Sequence, residues 1–308
     1  MLQSSIAASS AMGSGNDTMS FRLRSSQVLV GDQVEPLVRV AGITSPVLAP
    51  IAPYQHPEII ARLFGKFSAT INGSVMDPCN SYAGWSMLAY LLAHQRVAVP
   101  VDVLESIFWP EANTFSARNN RNVAMSHLRQ ALREITEQLI IEHRSGKYQF
   151  VRDCNVWTDV QEFEQRLSIG RWLEANHRID EAMLRYESAL SLYESDFLAD
   201  ELYQDWVLRK RDELRSLYVD TLDRLSKFYF ERSNFSACID TCRRILARDR
   251  WREDVHCLLM HCFARQNQLC FALKQYRDCV EALRQEFNLA PSAETLQLHE
   301  RLLRREWV

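Results

Sequence analysis

The chain has 308 residues, of which 47% are hydrophobic, and a formal net charge of −3. This length predicts two or three domains, and the apolar fraction excludes a globally disordered chain. The near-neutral charge gives no general affinity for polyanions, so any surface that binds nucleic acid must be local. We find no run of about 18 uncharged apolar residues, which argues against a membrane span. The eight cysteines contain no C-x-x-C pair, which favours a reduced, cytoplasmic compartment.

Residues 1–57 are rich in Ser, Ala, Gly and Pro and show little hydrophobic periodicity. We interpret them as a flexible N-terminal segment. Two short apolar stretches within it, 28–30 and 37–40, are candidate strands.

Residues 58–152 combine strand and helix patterns. A strand is predicted over 63–71, followed by a hairpin turn at Asn72-Gly73. Three helices are predicted over 85–93, 100–108 and 116–132, the last with Ser116 as its N-cap. Two further strands, 139–142 and 148–151, flank a connection at 143–147. This order is typical of a winged helix-turn-helix DNA-binding domain.

Residues 153–308 are predicted to form a second domain, which is helical from Asp159 onward. The expected helices are 160–174, 178–193, 203–231, 235–247, 252–265, 269–285 and 292–303. A repeat of 34 residues aligns Cys238 with Ala272 and Cys242 with Tyr276. A small residue followed four positions later by a larger one is typical of paired tetratricopeptide helices. The predicted fold class is therefore mainly α: an α+β winged helix-turn-helix followed by an all-α, TPR-like helical-repeat domain.

The third predicted helix has a basic face. At about 100° per residue, Arg118, Asn122, Arg129 and Arg133 fall in one narrow sector, away from an alanine- and leucine-rich sector. Arginine can contact guanine with two hydrogen bonds, and asparagine can contact adenine in the same way.

Each basic or amide residue receives an expected role from its position. Residues early in the helix are expected at or near base edges, namely Arg118, Asn119, Arg121 and Asn122. Those later in the helix are expected to contact phosphates, namely Arg129 and Arg133. Those at the hairpin tip are expected in the minor groove or on phosphates, namely Arg144 and Lys147.

A cluster of cysteine and histidine residues offers a competing interpretation. Its members are Cys238, Cys242, His256, Cys257, His261 and Cys262. They could ligate zinc or sense redox state, but cysteine also packs as a small hydrophobic residue between repeat helices. The alignment of Cys238 with Ala272 favours packing. No phosphate loop, nucleophile elbow or H-E-x-x-H pair occurs, so we expect neither an enzyme nor a cofactor.

Residues 61–300 resemble the SARP-type bacterial activators, in which an OmpR-like winged helix precedes a bacterial transcriptional activation domain. The resemblance rests on the order of many short segments. They are Leu88–Leu92, Phe108–Pro110, Ala117–Asn120, Ser126–Leu132, Gly146–Phe150, Asp159–Val160, Phe163–Glu164, Leu192–Leu198, Leu258–Met260, Ala272–Tyr276 and Pro291–Thr295. Two departures add positive charge: Arg121 replaces a usual leucine, and Lys147 interrupts the usual Gly-Tyr of the wing.

The resemblance implies a sequence-specific transcriptional activator. Its implied partners are promoter DNA with direct repeats, occupied by a side-by-side homodimer, and RNA polymerase, recruited by the helical-repeat domain. Larger relatives carry an ATPase module, and no G-x-x-x-x-G-K-[ST] motif occurs here, so control by ATP is not expected. The alternative function is a helical-repeat adaptor that binds proteins but not DNA.

Overall fold

The computed structural model describes residues 57–201 and 204–306. Apart from Pro57, the N-terminal segment and its two candidate strands lie outside the described residues. Within the described residues, no helix is long and apolar enough to cross a membrane. The predicted fold class is confirmed: an α+β part comes first and is followed by helices.

A four-stranded sheet opens the described part of the chain. Strands β1 (Glu58–Arg62), β2 (Ser68–Ile71) and β3 (Ser74–Met76) form an antiparallel meander. The predicted turn at Asn72-Gly73 is confirmed, since both residues have the positive φ values, 50° and 80°, that a type I′ hairpin requires. The single strand predicted over 63–71 is wrong, because the chain leaves β1 at Arg62 and turns at Gly65, where φ is 85°.

Three helices and a small second sheet complete the winged helix-turn-helix. The helices are α1 (Tyr82–Ala93), α2 (Val101–Phe108) and α3 (Thr114–Ile135). The second sheet has the order β4-β6-β5, where β4 is Val99–Pro100, β5 is Ile141–Arg144 and β6 is Lys147–Phe150. Helix α1 contains no charged residue and is almost entirely buried, so it forms the centre of this part of the core.

The last strand of the first sheet lies after residue 152, where the winged helix-turn-helix domain was expected to end. Strand β7 (Asn155–Thr158) pairs in parallel with β1, which no local sequence pattern indicated. Directly after it, the Asp159 carboxylate accepts hydrogen bonds of 2.8 and 3.0 Å from the backbone N–H groups of Leu63 and Phe64. Burial raises the pKa of Asp159, and these N–H donors oppose that rise.

All seven helices predicted after residue 159 are present, with ends within a few residues of those expected. They are α4 (Asp159–Ala175), α5 (Ile179–Leu190), α6 (Asp205–Glu231), α7 (Phe235–Leu246), α8 (Glu253–Arg265), α9 (Leu269–Phe287) and α10 (Ala293–Leu303). Helices α4 and α5, α6 and α7, and α8 and α9 pack as successive hairpins.

The close packing of the first hairpin depends on a glycine opposite an aromatic ring. Tyr186 of α5 is fully buried, and a Cβ atom added at Gly170 of α4 would lie 2.5 Å from its ring. In the later hairpins, Cys238 and its repeat partner Ala272 are both fully buried. Small residues thus allow paired helices to approach closely, as the repeat pattern predicted.

The two halves of the chain share backbone contacts as well as a core. Phe64, after β1, forms an isolated bridge with Phe197 in the connection between α5 and α6. The N–H of Gly65 donates to the carbonyl of Asp196 at 2.9 Å, and that of Leu198 donates to the carbonyl of Leu63 at 2.8 Å. The winged helix is therefore fixed against the first helical hairpin.

The sulfur atoms of the cysteine cluster lie in the helical core. Cys238, Cys242 and Cys262 are fully buried, and the Sγ atoms of the first two are 4.0 Å apart. His256 is engaged by the Arg250 carbonyl and the Gln275 amide, and burial lowers its pKa. Among the described residues, no three His, Cys, Asp or Glu side chains are placed to hold a metal ion.

Candidate nucleic-acid interface

Helix α3 begins two residues earlier than the sequence predicted. Its N-cap is Asn113, whose Oδ1 accepts a hydrogen bond of 2.9 Å from the N–H of Ser116. Asparagine is among the most favourable N-cap residues, so the signal was present in the sequence. The earlier start places Phe115 in the first turn, and sequence reasoning missed this residue.

One face of α3 is buried against the rest of the winged helix. Its buried residues are Ala117, Arg121, Ala124, Met125, Leu128 and Leu132. At about 100° per residue, residues 115, 119, 122 and 126 lie on the side of the helix that faces away from these buried residues. All four are exposed, and we call them the outer row: Phe115, Asn119, Asn122 and Ser126.

Arg121 does not lie on this exposed face, which corrects the expectation that it contacts or approaches a base. The residue is only 7% exposed, and its Nη1 pairs with Glu105 of α2 at 2.5 Å. Its Nη2 donates to Asn122 Oδ1 at 2.8 Å. At about 100° per residue, Arg121 lies in the middle of the buried face of α3. A leucine at this position would pack in the core. Arg121 therefore joins α2 to α3 and holds the Asn122 side chain.

The other predicted residues of α3 differ in exposure. Arg118, Asn119, Asn122 and Arg133 are exposed, and neither Arg118 nor Arg133 forms an ion pair with another described residue. Arg129 is half-buried, and its Nε is buried without a hydrogen-bond partner among the described residues. Arg118 and Arg129 thus lie beside the outer row, whereas Arg133 lies at the helical angle of Phe115, at the C-terminal end of that row.

The wing presents the two predicted cations side by side. Arg144 and Lys147 are exposed and directly opposite each other in the β5–β6 register. The turn between them, Ser145-Gly146, has positive φ at both residues, 51° and 72°, as in a type I′ hairpin. The Gly146 carbonyl accepts a hydrogen bond of 3.0 Å from the N–H of Val101 at the start of α2. This bond fixes the wing relative to the helices.

The charge of α3 suits a polyanion. From Thr114 to Arg133 the helix contains no acidic residue and four arginines, of which Arg121 is paired with Glu105, although the whole chain has a net charge of −3. The positive charge is therefore local, as any nucleic-acid surface on this chain must be.

Comparison with known families identifies a domain in the second half of the chain. Residues 158–303, just under half of the chain, match the family described as the bacterial transcriptional activator domain. A winged helix-turn-helix precedes that domain, which is the order implied by the resemblance to SARP-type activators. A search of curated protein sequences gave no match.

One solved structure shows the same fold over most of this chain. Mycobacterium tuberculosis EmbR, solved in complex with a low-affinity phosphopeptide, superposes with a TM-score of 0.64 at 21% identity, covering 81% of this chain. This chain spans 66% of that EmbR chain, slightly under two thirds of its length. A second match is the C-terminal TPR-containing domain of a Plasmodium falciparum protein described as FK506-binding. The alignment covers 48% of this chain and 90% of the Plasmodium chain. Its TM-score of 0.35, at 16% identity, is too low to support an argument.

Proposed function

We propose that this protein is a sequence-specific DNA-binding activator, with helix α3 inserted in the major groove and the wing on the adjacent backbone. The observation that carries this proposal is the exposed, acid-free face of α3. The major groove admits one α-helix and presents a distinct pattern of donors and acceptors for each base pair. An adaptor that binds only proteins has no use for such a face.

The exposed side chains divide between base and phosphate contacts. Asn119 and Asn122 lie in the outer row, so they are assigned to base edges, with Arg118 beside them. On α3, Arg133 and the guanidinium end of Arg129 are assigned to phosphates. On the wing, Arg144 and Lys147 are assigned to the DNA backbone or the minor groove. Arg121 takes no DNA contact in this assignment.

The helical-repeat half, expected from residue 153 onward, is proposed to contact RNA polymerase. In this proposal, the winged helix (residues 58–152, completed by β7) selects the promoter. The adjoining surface of the helical half then holds RNA polymerase at that promoter. Binding as a homodimer to direct repeats, in the cytoplasm, belongs to the same proposal. Its support is the family match of residues 158–303.

The proposal is tested by measuring the affinity of the full chain for a duplex enriched from a random library, over a range of KCl concentrations. Arg118→Ala should cost about 1–3 kcal/mol on this duplex and relax base preference at one position. Lys147→Ala should weaken binding to all sequences alike and reduce the salt slope by about 0.9. Arg277→Ala, an exposed arginine on α9, is the matched control and should bind as the parent does.

Failure to enrich any duplex would reject DNA binding and favour the adaptor. Equal affinities for the parent and Arg118→Ala, with unchanged base preference, would show that α3 is not the element that reads DNA. Recruitment of polymerase is tested separately by transcription from a promoter that carries the enriched site. Activation by a chain truncated after residue 158, as strong as by the full chain, would remove the role assigned to the helical half.

A further inference from the structure

Phe115 is the most exposed of the large hydrophobic side chains in the described part of the chain. It is 84% exposed, and no other described aromatic ring packs against it. Folding therefore gains almost nothing from burying this ring, since hydrophobic stabilisation is proportional to the apolar area removed from water. A phenylalanine in this position is available for contact with another molecule.

The position of Phe115 indicates which molecule that is. The ring lies in the first turn of α3, at the start of the outer row that continues with Asn119, Asn122 and Ser126. Residues early in a recognition helix are those that reach base edges. Arg118 is the next residue along this side of the helix, so the ring stands among cationic and amide groups. Within α3 the nearest acidic residue is Glu134, some five turns away, and the nearest before the helix is Glu111.

The chemistry of the major groove leaves one partner for a phenyl ring. Donors and acceptors cover the base edges there, and the C5-methyl group of thymine is the apolar exception. A phenyl group gains nothing from a hydrogen-bonding edge but gains contact and desolvation against a methyl group.

We propose that Phe115 is a specificity-determining residue that reads the 5-methyl group of a thymine in the major groove. This inference rests on the proposed function, because it requires α3 to enter the groove. It adds a requirement for the 5-methyl group itself, which the hydrogen bonds of Arg118, Asn119 and Asn122 to guanine or adenine do not sense.

The test replaces thymine by deoxyuridine, one position at a time, in the duplex enriched from the random library. This change removes the methyl group and leaves every Watson–Crick and groove hydrogen-bonding group in place. Binding of the full chain is compared with that of Phe115→Ala. Phe271→Ala is the matched control, because Phe271 is an exposed phenylalanine on α9, in the helical half. Since the Phe115 ring is exposed, Phe115→Ala should unfold at the same temperature as the parent.

The parent should bind about fourfold more weakly when one particular thymine becomes deoxyuridine, the effect of one methyl-sized group leaving an apolar contact. Phe115→Ala should bind both duplexes equally, with the affinity of the parent for the deoxyuridine duplex. Phe271→Ala should keep the fourfold difference.

Three results would overturn the inference. The parent could show no preference for thymine at any position, or Phe115→Ala could retain the preference. Alternatively, Phe115→Ala could leave DNA binding intact and abolish self-association, which would make the ring a protein contact. Each of these is distinct from a full chain that binds no duplex, a result that would reject the proposed function along with this inference.

Discussion

Substituting Arg121 by leucine tests whether this arginine stabilises the fold or contacts DNA. The side chains of Arg121 and Glu105 are 8% and 16% exposed, and a hydrogen-bonded ion pair joins them. Arg121→Leu removes the cation and leaves the Glu105 carboxylate close to an apolar side chain. Removing one partner of a fully buried pair costs about 3–5 kcal/mol. Because Glu105 keeps some contact with water, we expect a loss of about 2–3 kcal/mol.

A loss of this size should lower the unfolding temperature by roughly 4–6 °C for a chain of this length. Arg121→Leu/Glu105→Leu should recover most of the loss, because apolar replacement of both partners of a buried pair is often neutral or stabilising. Affinity for the enriched duplex, measured well below the unfolding temperature, should fall less than for Arg118→Ala. The small loss that remains should come from Asn122, which no longer accepts the hydrogen bond from Arg121.

A structural role for Arg121 is refuted if Arg121→Leu unfolds at the parental temperature but loses tenfold or more of its sequence-specific affinity. That result would mean that Arg121 leaves Glu105 and reaches a base. A double variant less stable than Arg121→Leu would also contradict the ion-pair role, because Glu105 would then have another stabilising contact.

Three further substitutions test how the chain is held together. Asp159→Ala removes the acceptor of three buried backbone N–H groups, those of Leu63, Phe64 and Val160, and should cost about 2–4 kcal/mol in urea unfolding. Asp153→Ala, an exposed control, should cost less than about 0.5 kcal/mol. Gly170→Ala forces the Tyr186 ring to move and should cost about 1–3 kcal/mol; an unchanged unfolding temperature would contradict the close approach of α4 and α5. Cys238→Ala should cost about 1 kcal/mol and leave the metal content of the purified protein unchanged, whereas loss of a stoichiometric zinc ion together with the fold would contradict packing.

The sequence alone was enough to predict the helices and the order of the winged helix. A helix is encoded by periodicity and capping residues that lie within a few positions of one another, so each can be recognised locally. The Asn72-Gly73 turn and the 34-residue repeat are local signals of the same kind. The resemblance to SARP-type activators followed from many such segments in a fixed order.

Tertiary structure decided the pairings between distant residues. Strand β7 joins the sheet beside β1, nearly a hundred positions earlier in the chain, and the Asp159 carboxylate binds backbone groups 95 and 96 positions away. Nothing within either segment encodes its partner, because parallel pairing depends on how the intervening helices pack. The boundary expected at residue 152 therefore lay just before the last strand of the sheet.

The same distinction applies to the candidate interface. The sequence indicated a basic helix and a basic wing, because charge and spacing are local. It could not show that Arg121 points inward, since the partner that makes burial of its charge possible is Glu105, 16 positions earlier and on another helix. An unpaired arginine in that position would have a large desolvation cost. Pairing with Glu105 offsets this cost, so an arginine can fill the space of a leucine. The packing of α2 against α3 thus decides which arginines of α3 face solvent.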